Sequence, residues 1–258
     1  MDSVWYVADY SGCGYLRTIF PVEILNSLYA NKKKFTGIVS SRFYGDMNFL
    51  RNYPILHFQR QIRKPQVDYI KQLKDMSKNG LKFKIIFDLD DLLYDIPDYN
   101  FCKPHFNDNE IKELLQTIFK YTDIFTVSTP YLKMKMEQIK KIPDGCKFQV
   151  VPNYIPKFLY APHNKRENNR PKILYAGSST HYGKSDNNLG DLSLIYDLIV
   201  NTTEDFDWVF VGGAPEKIKE LGVEVIDWVH SIYEYPRIIS SLNCDFGIAP
   251  LLDSEFNK

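Results

Sequence analysis

Three stretches of this chain gather side chains able to do chemistry. The first is KIIFDLDDLLYDIPDYN (84–100), where an apolar run ends on Asp88, Asp90 and Asp91, with Asp95 and Asp98 close behind. Carboxylates a few ångströms apart raise one another's pKa unless a cation or a hydrogen-bond donor meets them. Such a cluster suits acid/base work, metal ligation or a grip on hydroxyls. Capping of the following turn is the plainer use of the same residues. The second stretch is Ser11-Gly12-Cys13-Gly14-Tyr15-Leu16-Arg17. Its glycines permit a tight turn and close backbone approach, and Arg17 could hold a phosphate through two parallel N–H bonds; an ordinary strand-to-helix turn would look alike. The third runs from Gly177 and Ser178 through Thr180 and His181 to Gly183 and Lys184. It offers hydroxyls, an imidazole and a cation just after an apolar run, as a phosphate site needs. It is not a Walker loop, because its glycines stand six positions apart where that motif has five.

The elements that must position these loops alternate throughout. VWYVADY, FTGIVSS, YPILHFQ, FKIIFDLD, DIFTVST and KFQVVPN read as strands, while PVEILNSLYA, VDYIKQLKDMSKNG, IKELLQTIFKYT and YLKMKMEQIKKI carry apolar positions at helical spacing, with Asn79-Gly80 as a C-cap. NYIPKFLYAPHNKRENNRPK breaks the pattern with three prolines and a charge cluster, which sets a hinge near 153–170. The alternation then restarts, with KILYAGS, DWVFVGG, VEVIDWV and CDFGIAPL as strands and GDLSLIYDLIVNT, PEKIKELG and EYPRIISSLN as helices. The expectation is an α/β chain of two Rossmann-like parallel sheets, domain one over 1–155 and domain two over 156–258.

Composition excludes several classes. At 258 residues with 44% hydrophobic and 25% charged residues, the chain has the makings of a packed core and none of a fibrous or disordered protein. The amino terminus MDSVWYVADY lacks a basic segment followed by an apolar run, and no run approaches the roughly 20 apolar residues of a membrane span, so a cytoplasmic protein is expected. Cys13, Cys102, Cys146 and Cys244 show no metal-ligand spacing and are expected as free thiols, with no zinc site. Net charge is zero, yet residues 29–84 hold thirteen Lys and Arg against three Asp. Such a patch can attract a polyanion, and Phe35, Phe43, Tyr44, Phe49, Tyr53 and Phe58 interleave with it as stacking on bases would need; solvated helix faces and core packing are the plainer uses.

Family resemblances divide over the acidic stretch. IIFDLDDLL resembles the first motif of haloacid-dehalogenase-like phosphatases, which would make Asp88 the nucleophile and Asp90 its acid/base partner, with FTVST as a second motif. The usual Gly-Thr is replaced by Asp91-Leu92, and no late acidic pair follows. Its D-x-D also resembles the metal motif of single-sheet GT-A glycosyltransferases, which the restarted second half argues against.

Over nearly the whole chain, GCGYLR, FDLDDLLYDIPDYN, FTVSTPYLKMKM, VVPNYIP, ILYAGSSTH, WVFVGG and CDFGIAPLLDSEFN fall in the order seen in GT-B glycosyltransferases similar to the retaining family 4, particularly phage-encoded ones. This resemblance implies two Rossmann-like domains facing each other across a cleft, acceptor in the first and nucleotide-sugar in the second. It implies hexosyl or pentosyl transfer from a nucleoside diphosphate donor, UDP first among them, with no metal required. Gly12, Cys13, Gly14 and Arg17 would face the donor phosphates, Gly177, Ser178 and Lys184 would hold the diphosphate, and Trp228 with Val229 would dock the base. Glu255 would supply the first of the family's paired carboxylates. Asp90, Asp91 and His181 are the expected catalytic residues, and Arg42, Arg60, Arg63 and Lys64 the expected acceptor contacts. DNA is one acceptor this implies, in a host cytoplasm for a phage-encoded protein; a polysaccharide or lipid-linked acceptor competes. The family continues past the APL strand with a further helix and strand whereas the chain stops at Lys258, so a truncated or reduced version is expected, and a non-catalytic binding subunit stays as an alternative.

Overall fold

The computed structural model describes residues 2–29, 34–78, 82–141, 145–160, 167–183 and 188–258. The chain divides into two compact units, Met1–Tyr94 with Asp108–Ile155, and Asp95–Asn107 with Pro156–Lys258. The segment 95–107 therefore groups with the second unit although it is flanked on both sides by the first. No local pattern in the sequence marks that exchange. Asp95, at its start, holds a positive φ of 57°, a backbone turn that non-glycine residues seldom adopt.

The first unit is built on a six-stranded parallel sheet in the order β2-β1-β3-β4-β5-β6. Its strands are β1 (Asp2–Tyr6), β2 (Thr36–Ser40), β3 (Ile55–Gln59), β4 (Lys84–Leu89), β5 (Ile124–Val127) and β6 (Lys147–Val150). Between them run α2 (Phe20–Tyr29), the short α3 (Met47–Leu50), α4 (Lys64–Lys78), α5 (Asp108–Tyr121) and α6 (Pro130–Ile139). Helix α5 buries Ile111, Leu115, Ile118 and Phe119, one face of a 3.6-residue period. Thr129 caps α6 by accepting from the Leu132 amide at 3.0 Å, ahead of a proline whose missing N–H costs nothing in the first turn. The expected C-cap at Asn79-Gly80 lies outside the described residues.

The second unit holds a four-stranded parallel sheet in the order β10-β7-β8-β9, from β7 (Lys172–Ala176), β8 (Asp207–Val211), β9 (Glu224–Ile226) and β10 (Phe246–Ile248). Its helices are α7 (Tyr196–Thr202), α8 (Glu216–Lys219) and α9 (Glu234–Ser241). Its core gathers Tyr175, Leu192, Ile199, Trp208, Phe210 and Ile218. The single helix expected over 190–202 is split, with Gly190–Leu194 a 3-10 turn and α7 starting only at Tyr196. Gly190 adopts φ +51°, and Asp191 turns wholly inward, a tertiary demand that overrides helix propensity.

Two local features of the first unit depart from expectation. The glycine-rich stretch after β1 is helical, α1 (Gly12–Gly14) passing into a π-helical turn, Tyr15–Ile19, and then α2. Pro21 has no N–H to return to the Arg17 carbonyl, and the ladder widens so that the Phe20 amide reaches Tyr15 instead. Gly14 is required there, because a Cβ would lie 1.8 Å from the Asp9 carbonyl oxygen. The interleaved aromatics, in turn, are spent on one another. Tyr6 stacks on Phe58 at 4.7 Å, Phe43 on Tyr69 at 4.4 Å, and Tyr44, Phe49 and Tyr53 form a chain of tilted contacts at 4.5 and 4.8 Å. Five of the six, Phe35 excepted, thus take part in ring packing within the unit. Among the described residues no helix is long and apolar enough to cross a membrane.

Candidate functional site

In an open parallel sheet, ligands bind beyond the carboxyl ends of the strands, where the strand order reverses. In the first unit the reversal lies between β1 and β3, since β2 sits on one side of β1 and β3 on the other. There the loop after β1 meets the loop after β3, and Asp9 pairs with Arg60. Arg60 holds a positive φ of 51°, which marks backbone strain maintained by its surroundings. Its guanidinium also lies 3.6 Å from Asp91 and 4.0 Å from the Cys13 sulfur. Burial works against ionisation of Asp9, but hydrogen bonds from Ser11 and the charge of Arg60 outweigh it and hold the carboxyl below its ordinary value.

Cys13, Asp90 and Asp91 bring one ligand atom each within 4.8 Å of the others, a spacing open to a metal ion. Arg60 sits against two of the three, so the chain supplies a cation of its own to this group. Burial, followed by the charges of Asp90 and Asp91, pushes the Cys13 thiol up, which keeps it protonated near neutrality. Asp90 is only 8% exposed, and its Oδ1 has no hydrogen-bond partner among the described residues. An orphaned carboxylate oxygen is costly unless something completes it.

Beneath this cluster lies a buried ion pair. Arg17 is 6% exposed, and its Nε donates to Asp88 Oδ2 at 2.9 Å while a second N–H meets Asp88 Oδ1. The remaining edge donates to the Val151 carbonyl and to Asn153 Oδ1 at 3.1 Å. Arg17 is thus turned inward to the sheet, with its donors on Asp88, Val151 and Asn153, where its sequence position suggested a side chain facing out of the loop. The same bond bears on the phosphatase alternative. Asp88 is 2% exposed and accepts from Arg17 on both oxygens and from the Thr126 hydroxyl, so three of its roughly four lone-pair sites are taken up inside the unit, an arrangement of an internal counter-ion more than of a nucleophile.

Of the four basic residues expected to contact an acceptor, only Arg60 joins the cluster. Arg42, Arg63 and Lys64 are exposed, and Lys64 pairs with Asp68 one helical turn along. Gly12 has open space around the position of a Cβ. Asp9 was missed by sequence reasoning because its partner stands 51 residues away and only the fold joins them.

In the second unit the reversal falls between β7 and β10. Gly177 leaves β7 with its amide donating to Val211, and the Ser178 hydroxyl accepts from the Thr180 amide at 3.4 Å as the chain enters the 3-10 turn Ser179–His181. Gly212 and Gly213, at the end of β8, hold φ values of +100° and +91°. A Cβ on Gly212 would lie 2.3 Å from the Gly177 carbonyl, so the two strand exits close on each other only with glycine there. This glycine pair belongs to the same edge and was read simply as the end of a strand.

His181 is anchored from behind. Its Nδ1 lies 2.9 Å from Asp191 Oδ2, and Asp191 is fully buried. Trp228 and Val229 follow β9 on the same carboxyl edge of the parallel sheet, with the indole 53% exposed. Glu255 lies in the closing turn, 3.4 Å from Lys258. Lys184 lies outside the described residues. Gly177, Ser178, His181, Trp228 and Val229 thus share one edge, while Asp191, Tyr99 and Asn257, which the sequence did not single out, complete its underside.

No protein-family model matches the chain, and no curated protein matches it. Among solved structures it is similar to Anabaena HepE, solved in complex with UDP and glucose, at a TM-score of 0.56 and 10% identity, over 95% of this chain and 72% of that one. Apo OtsA aligns at 0.49 and 13% identity over 93% of this chain, and the α,α-trehalose 6-phosphate synthase of Burkholderia multivorans at 0.47 and 11% over 94%; the chain spans 57% of each of these. At such identity the likeness to HepE speaks of fold. With the two parallel sheets, it gives the chain an α/β fold of Rossmann-like parallel-sheet domains, the fold it shares with HepE.

Proposed function

We propose that the chain transfers a sugar from a nucleoside diphosphate donor to a hydroxyl-bearing acceptor. The observation that carries this reading is the carboxyl edge of the second sheet, where His181 stands on a buried carboxylate beside the small residues Gly177, Ser178, Gly212 and Gly213. Small residues let a diphosphate approach the backbone, and a fixed imidazole can neutralise the charge that grows as the nucleoside diphosphate leaves. The exposed indole of Trp228 suits stacking on a base, with the Val229 backbone beside it. UDP is the first nucleotide to test, since HepE was solved with it. Charge stabilisation by protein groups makes a metal unnecessary on this reading. The motif order further favours a transferase akin to the retaining family 4, phage-encoded members included.

The first unit supplies the acceptor site in this proposal. Asp9, Asp88, Asp90 and Asp91 stand against Arg17 and Arg60, an acidic excess of two at the edge where a ligand would enter. Acidic groups with an orphaned oxygen at Asp90 suit a hydroxyl of a carbohydrate; a DNA phosphate backbone would be repelled there and would rest on basic residues away from the cluster, Arg42 and Arg63 among them. The test is release of UDP from UDP-sugars with neutral oligosaccharides or duplex DNA as acceptor. Salt-insensitive release stimulated by a carbohydrate supports the proposal; release stimulated only by DNA, and lost as salt rises, would replace the acceptor. Absence of any release with every donor and acceptor, alongside retained UDP binding, would favour a binding subunit.

A further inference from the structure

Asp191 belongs to none of the stretches the sequence singled out, yet its carboxylate gathers three donors and the His181 ring from three other segments of the second unit. Oδ1 accepts from the Tyr99 hydroxyl at 2.8 Å, from the Leu252 amide at 2.8 Å and from Asn257 Nδ2 at 3.0 Å. Oδ2 lies 2.9 Å from His181 Nδ1. One oxygen ties down the 95–107 segment and the closing turn, and the other is given to the imidazole.

The local backbone is shaped for that contact. Gly190, immediately before Asp191, holds φ +51°, and a Cβ there would fall 2.4 Å from the His181 carbonyl and 2.9 Å from the Tyr99 ring. Only glycine lets the Asp191 turn close under His181. Among the described residues no lysine or arginine is ion-paired with Asp191, so His181 is the one described group that can balance its charge. Burying a carboxylate without such balance is unfavourable. The other titratable groups around the pair are Tyr99, whose phenol is pushed up to about 12 by burial and then by Asp191, and Tyr175 and Tyr182, whose phenols burial also raises. Asp227 faces Tyr182 from the end of β9. All three phenols are neutral where an imidazole titrates.

We infer that Asp191 is the positioning residue of the proposed donor site: it accepts a hydrogen bond from Nδ1 of His181, so that the imidazolium, completed by a proton from solvent, donates from Nε2 to the donor diphosphate as charge develops there. This rests on the reading of the second unit as a nucleotide-sugar site. A carboxylate hydrogen-bonded to one ring nitrogen fixes the tautomer and stabilises the imidazolium, whichever substrate the other nitrogen serves.

The test is Asp191→Asn in the full chain. Asparagine keeps an oxygen for Tyr99, Leu252 and Asn257 but can turn an NH2 toward Nδ1, where donor would face donor. The imidazole must then carry its proton on Nε2. Heteronuclear NMR of the neutral His181 ring should show the Nδ1–H tautomer in the unaltered chain and Nε2–H in the variant. Asp191→Glu, which restores a carboxylate, should recover the original tautomer. UDP affinity should fall roughly tenfold in Asp191→Asn, which loses the carboxylate that supports the imidazolium, and recover in Asp191→Glu. An unchanged tautomer in Asp191→Asn would overturn the inference. A tautomer switch in a chain that binds no UDP at any pH would leave Asp191 in control of His181 but refute the donor-site reading.

Discussion

Replacing Arg17 separates its two candidate roles, phosphate ligand and internal counter-ion. In Arg17→Met the Asp88 carboxylate, 2% exposed, loses the fork that meets both its oxygens and keeps only the Thr126 hydroxyl. Two charges at that separation attract by about 6 kcal/mol at an effective dielectric near 20, most of which offsets the cost of taking both out of water. Removing one partner leaves that cost uncompensated for the other, and losses of about 3–5 kcal/mol are usual. For a chain of this size that is a fall in Tm of about 10 °C. Arg17→Lys keeps the charge and loses the fork, and should lie between the two. The double variant Arg17→Met with Asp88→Leu removes both charges and should be less destabilised than the sum of the singles, by about 2 kcal/mol or more. Urea unfolding followed by circular dichroism measures all of these. A loss below about 1 kcal/mol in Arg17→Met, or strict additivity in the double variant, would refute the buried-pair account. A selective loss of UDP affinity without loss of stability would return Arg17 to the phosphate.

Three further outcomes follow from the same geometry. His57 is 4% exposed and stacked on Trp5 at 4.0 Å, and burial pushes its pKa down to about 4. Its unfolded value is near 6.5, so below that pH the unfolded chain binds the extra proton. Stability is whole above about pH 6.5 and declines by about 3 kcal/mol as pH falls toward 4, a slope that His57→Phe should flatten in urea titrations. Gly190→Ala forces a side chain into the left-handed region and against the His181 carbonyl; it should cost about 2 kcal/mol or more and shift the His181 ring resonances, and a neutral effect would contradict the close approach. Asp90→Asn relieves like-charge repulsion at an orphaned carboxylate, so it should hold or raise Tm while lowering transfer about a hundredfold; unchanged transfer would remove Asp90 from the acceptor site.

The parts of this fold visible in sequence were those set by local periodicity. Strands such as KIIFDL and DWVFV and the amphipathic α5 announce themselves because burial imposes a period of two or of 3.6 on neighbouring residues. The glycines of the 11–17 stretch signalled a loop, but Gly14 is needed for an approach to Asp9 and the chain is helical there. Burial of Arg17 depends on Pro21 widening the helix and on partners up to 136 residues away. Asp191 reads as an ordinary helix residue until Tyr99 and Asn257, 92 and 66 positions distant, are placed beside it. Loop residues of candidate chemistry, His181, Asp90 and Asp91 among them, were legible by type. Which of them act together was not, because that depends on strand order.

The most direct measurement is calorimetric titration of the chain with UDP, in the presence and absence of a chelator, repeated on His181→Ala and Trp228→Ala. Binding at one site per chain, independent of the chelator and weakened by about tenfold or more in each variant, is the predicted result. Absence of UDP binding, or binding that ignores both substitutions, would contradict the placement of a nucleotide-sugar site at the carboxyl edge of the second sheet.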